Sequence, residues 1–273
     1  MGAKQNAVTE ENTHHTNPVL QLDKVTVGYR SQNRVTKIIS SLSLTLYPGD
    51  CIAILGSNGA GKSTLLKTIA KFIPLLEGTI QLHSTSMDTL SPREISRKLS
   101  IVLTERQFLR QMSVYELVSS GRLPYTNWMD GKNGDDYRLI KFALKAAGIQ
   151  HLAPKKCEEI SDGQLQNVLI ARALAQDTSL MILDEPSIHL DFYQKIKLFS
   201  LLRSLAANQQ KAIFFSTHDI ELALHYCSKA LVLLPDTYYF DTISNLAKQN
   251  VFNTLFDDSS VQFDKHHMRF RYS

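Results

Sequence analysis

Apolar and polar residues alternate from Val19, with Leu20, Leu22, Val25 and Val27 as the recurring apolar positions, which predicts a strand with one buried face. Residues 38–46 read as a second strand, and Tyr47, Pro48, Gly49 and Asp50 turn the chain into a third at 51–55. Short apolar runs at 79–82, 101–103, 212–216 and 230–234 predict further strands, and 180–183 is a continuous run of the kind a central parallel strand carries. Helical stretches fall between them at 62–72, 136–147, 161–175, 192–207 and 219–226. Ser91 with Pro92 and Glu94 opens another, and a capping box of Ser113 and Glu116 starts one that ends near Gly121. Ser161 and Gln164 make a second capping box, and Gly148 closes the 136–147 helix. Strands alternating with helices predict an α/β fold, a mostly parallel sheet with helices on its faces. Residues 91–160 are mainly helical, between strand-rich flanks. Residues 1–17 are polar and aperiodic, a disordered lead-in, and 236–273 show only weak patterning.

The strand at 51–55 runs into a glycine-rich loop. Gly56, Ser57, Asn58, Gly59, Ala60, Gly61, Lys62 and Ser63 satisfy G-x-x-x-x-G-K-[ST], and Thr64 follows inside the helix. Glycines let successive N–H groups turn toward phosphate oxygens, and the helix presents its positive end to the same anion. In such a loop Lys62 contacts the β- and γ-phosphates and the Ser63 hydroxyl binds Mg²⁺. The pattern defines a nucleotide triphosphate site; the competing reading is a glycine-rich turn with no ligand.

Composition changes little. Of 273 residues 43% are hydrophobic, enough for a sizeable core, and 21% are charged. A net charge of +4 without a long basic run argues for no nucleic-acid partner. The cysteines, Cys51, Cys157 and Cys227, match no zinc or redox spacing, and their odd number without a secretory signal suggests a reducing cytosol. No apolar run approaches the roughly 18–20 residues of a membrane helix, and the start lacks a myristoylation signal. Membrane association would have to come through another protein.

Two further elements carry chemistry. Asp184 and Glu185 end the 180–183 run, where carboxylates beside a phosphate loop can hold Mg²⁺ through its water shell and orient an attacking water. Asp184 takes the first role and Glu185 the second; the alternative is a pair of acids at a strand end. His218 ends the next buried strand, a structural histidine or, one strand on from the acids, a γ-phosphate contact.

The segment Ser161, Asp162, Gly163, Gln164, Leu165, shortly before Asp184, resembles the Leu-Ser-Gly-Gly-Gln signature of ATP-binding cassette (ABC) ATPases. The resemblance covers about residues 20–234, with the motifs in the family's order. It implies a phosphate-loop NTPase fold of the ABC type: a mostly parallel sheet, an antiparallel β part and an inserted helical subdomain at about 91–160. The cassette would span 18–235, with 236–273 as its C-terminal extension. By resemblance Tyr29 stacks on adenine, residues 187–191 form the D-loop ending in Asp191, and His218 is the switch histidine. The same resemblance implies two chains head to tail, with Ser161, Gly163 and Gln164 of one closing over ATP held by the other.

Three positions depart from the pattern. Asp162 replaces a glycine, although an acid is locally favourable at a helix N-terminus. Thr104 stands where the family has a glutamine beside the metal, with Glu105 and Gln107 nearby. Asn167 occupies a usually basic position. Residues 112–125, with Gly121, Arg122, Pro124 and Tyr125, are similar to the helical region of importers for iron–siderophore, haem and cobalamin. There the stretch lies near the membrane-subunit interface; ordinary helix packing is the other reading. The importer resemblance implies a homodimer beneath permease subunits at the cytoplasmic face of the membrane, served by a substrate-binding protein. An exporter cassette, or a soluble ABC ATPase of translation, repair or iron–sulfur assembly, is the alternative.

Overall fold

The computed structural model of the protein describes residues 17–31, 34–104, 111–126, 132–256 and 260–272. The first two strands, β1 (Leu20–Ser31) and β2 (Arg34–Leu46), pair antiparallel. Their apolar alternation changes parity between Leu22 and Val25 because a bulge lies there. Lys24 takes φ 47° and its N–H donates to Ser43 Oγ at 2.9 Å. One inserted residue moves the alternation across, so Leu22 and Val25 both face inward. β2 begins ahead of the expected residue 38 because Arg34, Val35, Thr36 and Lys37 are exposed and leave no apolar pattern.

β3 (Cys51–Leu55) leads through the glycine loop into α1 (Lys62–Ile69). That helix stops short of the expected residue 72. Lys71 adopts φ 61° just beyond its end, and Pro74 follows. β4 (Glu77–Leu82) and β5 (Thr85–Ser86) complete an antiparallel sheet of order β2-β1-β4-β5. The chain continues through α2 (Pro92–Lys98), β6 (Leu99–Val102), α3 (Val114–Ser119), α4 (Gly134–Ala146), α5 (Asp162–Gln176) and β7 (Leu180–Asp184). Then come α6 (Phe192–Gln209), β8 (Ala212–Ser216), α7 (Ile220–Tyr226) and β9 (Lys229–Leu233). The second sheet has the order β10-β9-β3-β8-β7-β6, in which every pairing is parallel except that of β10 (Tyr238–Thr242) on β9. β3, which feeds the glycine loop, lies inside this sheet.

The buried runs divide between two cores. Cys51, Ala53 and Leu55 of β3, with Met181, Leu183, Ile213 and Phe215, pack among α3 to α7. Ile52 and Ile54, with Leu180, Ile182, Ala212 and Phe214, pack against α1 and the antiparallel sheet. A sheet covered on both faces needs apolar residues at both parities, which is why these strands read as unbroken runs.

Past residue 235 the weak patterning conceals real structure. β10 was not expected, and α8 (Ile243–Lys248) and the hairpin β11 (Val261–Asp264) and β12 (Arg269–Tyr272) follow it. Phe252 meets Phe263 and Phe256 meets Phe270 edge-to-face, and Phe263 and Phe270 pack at a tilt, with Phe252–Phe263 centroids 5.0 Å apart. The hairpin is tied to the main body where the Phe270 N–H donates to Glu221 Oε1 of α7 at 2.9 Å.

Candidate nucleotide site

The glycine loop requires its glycines at specific points. Gly59 and Gly61 have φ 83° and 95°, and a side chain on Gly61 would stand 2.6 Å from Ile38 of β2. Lys62, only 5% exposed, folds back over the loop and donates to Gly56 O at 2.7 Å and Ser57 O at 3.0 Å. Burial lowers the proton affinity of its ammonium, while the charges of Glu185 and Asp184 oppose that shift. The side chain thus spans the loop as a bridge whose carbonyl partners an anion could replace.

Parallel pairing brings the acids to the same place. β7 and β8 run in register with Asp184 opposite Ser216, so both strand ends face the start of α1. Asp184 Oδ1 accepts from Ser63 Oγ at 2.9 Å and from Ser216 Oγ at 2.7 Å. Its Oδ2 accepts from Thr104 Oγ1 at 3.1 Å. Glu185 adopts φ 50°, and its N–H donates to Ser216 Oγ at 2.9 Å. At this left-handed position its carboxylate Oε1 meets His218 Nε2 at 2.9 Å. Lys62, Ser63, Asp184, Glu185 and His218 therefore form one cluster, although they come from three stretches of sequence. Tyr29, half-exposed, reaches the same helix through its hydroxyl, 3.1 Å from Thr64 Oγ1. The donors around Asp184 are hard oxygens, hydroxyl and carboxylate, the set that suits Mg²⁺.

Ser161 and Gln164 bond to each other rather than to this cluster. Ser161 Oγ accepts from the Gln164 N–H, and the Ser161 N–H donates to Gln164 Oε1, closing the expected box at the N-terminus of α5. Asp162 lies in the first turn. A side chain on Gly163 would stand 2.9 Å from His189 O, so the glycine permits close approach of α5 to the 187–191 turn. Asp191 caps α6, accepting from the Gln194 N–H at 2.8 Å. Ser187 donates to Asp219 Oδ2 at 2.5 Å, and Lys195 pairs with Asp219 Oδ1 at 2.7 Å, tying that turn to the residue after His218.

One of these partners was not picked out from the sequence. Ser216 has no motif of its own, and aligning the ends of parallel strands with Asp184 would have found it; Thr104, which the resemblance sets at the family's glutamine position, bonds to Asp184. Glu105 and Gln107 lie outside the described residues. Arg122 is buried: it pairs with Asp136 at 2.7 Å, donates to Ala175 O and Gln176 O at the end of α5, and stacks over Tyr125 at 4.1 Å. A side chain on Gly121 would meet Arg172 O at 2.3 Å. These two residues of the 112–125 stretch thus pack internally, joining α3, α4 and α5.

A lysine on a glycine loop at a helix start, with paired acids two strands away in the same sheet, defines a phosphate-loop nucleoside triphosphatase. The family model described as ABC transporter matches residues 39–188. An uncharacterised ABC transporter ATP-binding protein of Methanocaldococcus jannaschii is 35% identical, covering 90% of this chain and 84% of that protein. The achromobactin transport ATP-binding protein of Dickeya dadantii is 37% identical over 74% of each chain. Among solved structures, an inward-facing transporter assigned to the metal-chelate type has TM-score 0.74 at 28% identity, covering 88% of this chain and 89% of that one. A bacterial ABC transporter cassette solved as a dimer has TM-score 0.73 at 25% identity, covering 82% and 98%. The chain belongs to the ABC transporter family. It is an ATP-binding cassette and an ATPase.

Proposed function

We propose that this chain powers import of an iron chelate (siderophore or haem) or cobalamin through a separate permease. The observation that carries the ATPase half of this reading is the joining of Lys62, Ser63, Asp184, Glu185 and His218 in one cluster. The names of relatives that serve achromobactin and iron(3+)-hydroxamate support the cargo class.

Lys62 exchanges its loop carbonyls for the β- and γ-phosphates, and the N–H groups of Gly59 to Ser63 hold the remaining oxygens. Ser63, and Asp184 through water, would hold Mg²⁺, which would neutralise phosphate charge there. Glu185 orients the attacking water and accepts its proton, and His218 links that carboxylate to the γ-phosphate. Tyr29 stacks on adenine. Ser161, Gly163 and Gln164 act on ATP held by a second copy, with Asp191 at the same seam. Two copies head to tail then lie beneath two permease subunits at the cytoplasmic face of the membrane, with a substrate-binding protein delivering cargo. Among the described residues no helix is long and apolar enough to cross a membrane. In this reading the cassette is 18–235, its helical part about 91–160, and 236–273 its extension.

The test is reconstitution of the chain with the permease encoded beside it. ATPase stimulation by iron–siderophore, haem or cobalamin with its binding protein is the expected result. Recovery with a ribosome or repair complex, and never with a polytopic permease, would defeat the transport reading.

A further inference from the structure

Asp184 is 1% exposed, and both of its carboxylate oxygens are bonded. Ser63 and Ser216 donate to the same oxygen, Oδ1, at 2.9 and 2.7 Å. Two donors hold one oxygen, and the orientation of the carboxylate is completed by whatever binds the other. Among the described residues the side chain that restrains the second oxygen is Thr104, through Oγ1 at 3.1 Å to Oδ2, with a longer branch of 3.4 Å to Asp184 O. Thr104 stands just beyond β6, whose pairing with β7 puts Val102 opposite Leu183, so strand register holds the hydroxyl against Asp184.

We propose that Thr104 is a positioning residue for the cation carboxylate. Its hydroxyl fixes the plane of Asp184 so that an Oδ2 lone pair and Ser63 Oγ face the same divalent ion. The requirement is a donor at this point, not a long side chain that reaches the metal itself. Ser63 spends its proton on Asp184 and so presents oxygen lone pairs outward, which is useful to a cation only if Asp184 keeps its orientation. A buried carboxylate oxygen without a donor is costly, and Asp184 already acts on the nearby Lys62 ammonium. Loss of the latch would let the carboxylate turn toward that lysine and away from the cation.

The proposal rests on the reading of the cluster as a Mg²⁺–ATP site, and its test separates the two. Mn²⁺ binding to the full chain is followed by electron paramagnetic resonance with a non-hydrolysable ATP analogue, and analogue affinity is measured in parallel in EDTA. Thr104→Val should weaken Mn²⁺ binding about tenfold, the worth of one hydrogen bond to a charged group, while metal-free analogue affinity stays unchanged. Thr104→Ser should keep Mn²⁺ binding within about threefold of the parent, because the donor remains. Thr104→Ala makes the same comparison should valine disturb folding. Unchanged Mn²⁺ affinity in the valine and alanine chains overturns the proposal, as does a serine chain as weak as the valine one. A parent chain that binds neither analogue nor Mn²⁺ overturns the nucleotide reading itself, and this one with it.

Discussion

Glu185 is held in a left-handed conformation at φ 50°, which a non-glycine residue adopts at some cost. Its N–H bond to Ser216 and its contact with His218 keep it there, so the carboxylate is aimed before any ligand arrives. Glu185→Gln keeps size and hydrogen bonding but cannot take a proton. Turnover should fall by roughly 10²-fold or more, while ATP affinity by equilibrium dialysis stays near the parent value. Normal turnover in that variant would exclude Glu185 as the base. Lys62 gives a pH effect of definite sign. Burial lets the folded chain release this proton below the ordinary lysine value of about 10.4, at which the unfolded chain releases it. The unfolded state then binds more protons in the window between the two values, so stability rises with pH across it. Urea unfolding at a series of pH values should show that rise in the parent, and Lys62→Met should lack this contribution.

At the scale of elements, α5 is the piece to follow. Its first turn carries the capping box and Gly163, and its last carbonyls accept from Arg122. Arg122 thereby fixes the far end of the helix that displays the signature residues. Burial pushes the Asp136 carboxyl up, but the Arg122 bond and the Asn133 N–H more than offset it, leaving its pKa below the usual range. Arg122→Met removes the partner and leaves a buried carboxylate. A loss of about 3–5 kcal/mol is expected in thermal or urea unfolding, partly recovered in the double variant with Asp136→Leu. An unchanged midpoint would mean that water replaces the guanidinium. The 112–125 stretch was noted for its likeness to importers, and two of its prominent residues, Gly121 and Arg122, turn out to face inward. Periodicity could not reveal this, because partners at Asp136 and Ala175 come from helices whose relative packing the sequence does not state.

At the scale of the whole molecule, Lys62, Ser63, Asp184 and Glu185 lie in one cluster and Ser161 and Gln164 in another, with no hydrogen bond between the two among the described residues; in the proposed reading they are two halves of a site. If the halves belong to different ATPs, variants in each should complement. Lys62→Ala and Ser161→Arg chains are each expected to be inactive alone, and an equimolar mixture, reconstituted with the permease, should regain part of the ATPase rate. No recovery at any ratio would mean that the two halves do not meet across a pair. The C-terminal segment adds stability to one side of this body. Phe252 is fully buried against Phe263, yet the four phenylalanines at 252, 256, 263 and 270 have helix-like spacing while 263 and 270 pair across a hairpin, so the pattern could not reveal the segment's structure.

The sequence by itself determined the class of this protein. A glycine loop between an apolar strand and a helix, acids after a buried run, and two capping boxes are local features, set by backbone freedom and hydrogen bonding within a few residues. Strand positions followed too, because a sheet covered on both faces demands unbroken apolar runs. Tertiary structure decided the rest: the bulge at Lys24, the inward turn of Arg122, the β10 edge and the hairpin beyond it. It also decided that three hydroxyls, on Ser63, Thr104 and Ser216, converge on Asp184. Those residues are separated by long stretches of chain, and only the register of parallel strands, set by burial on both faces, brings their ends to one point.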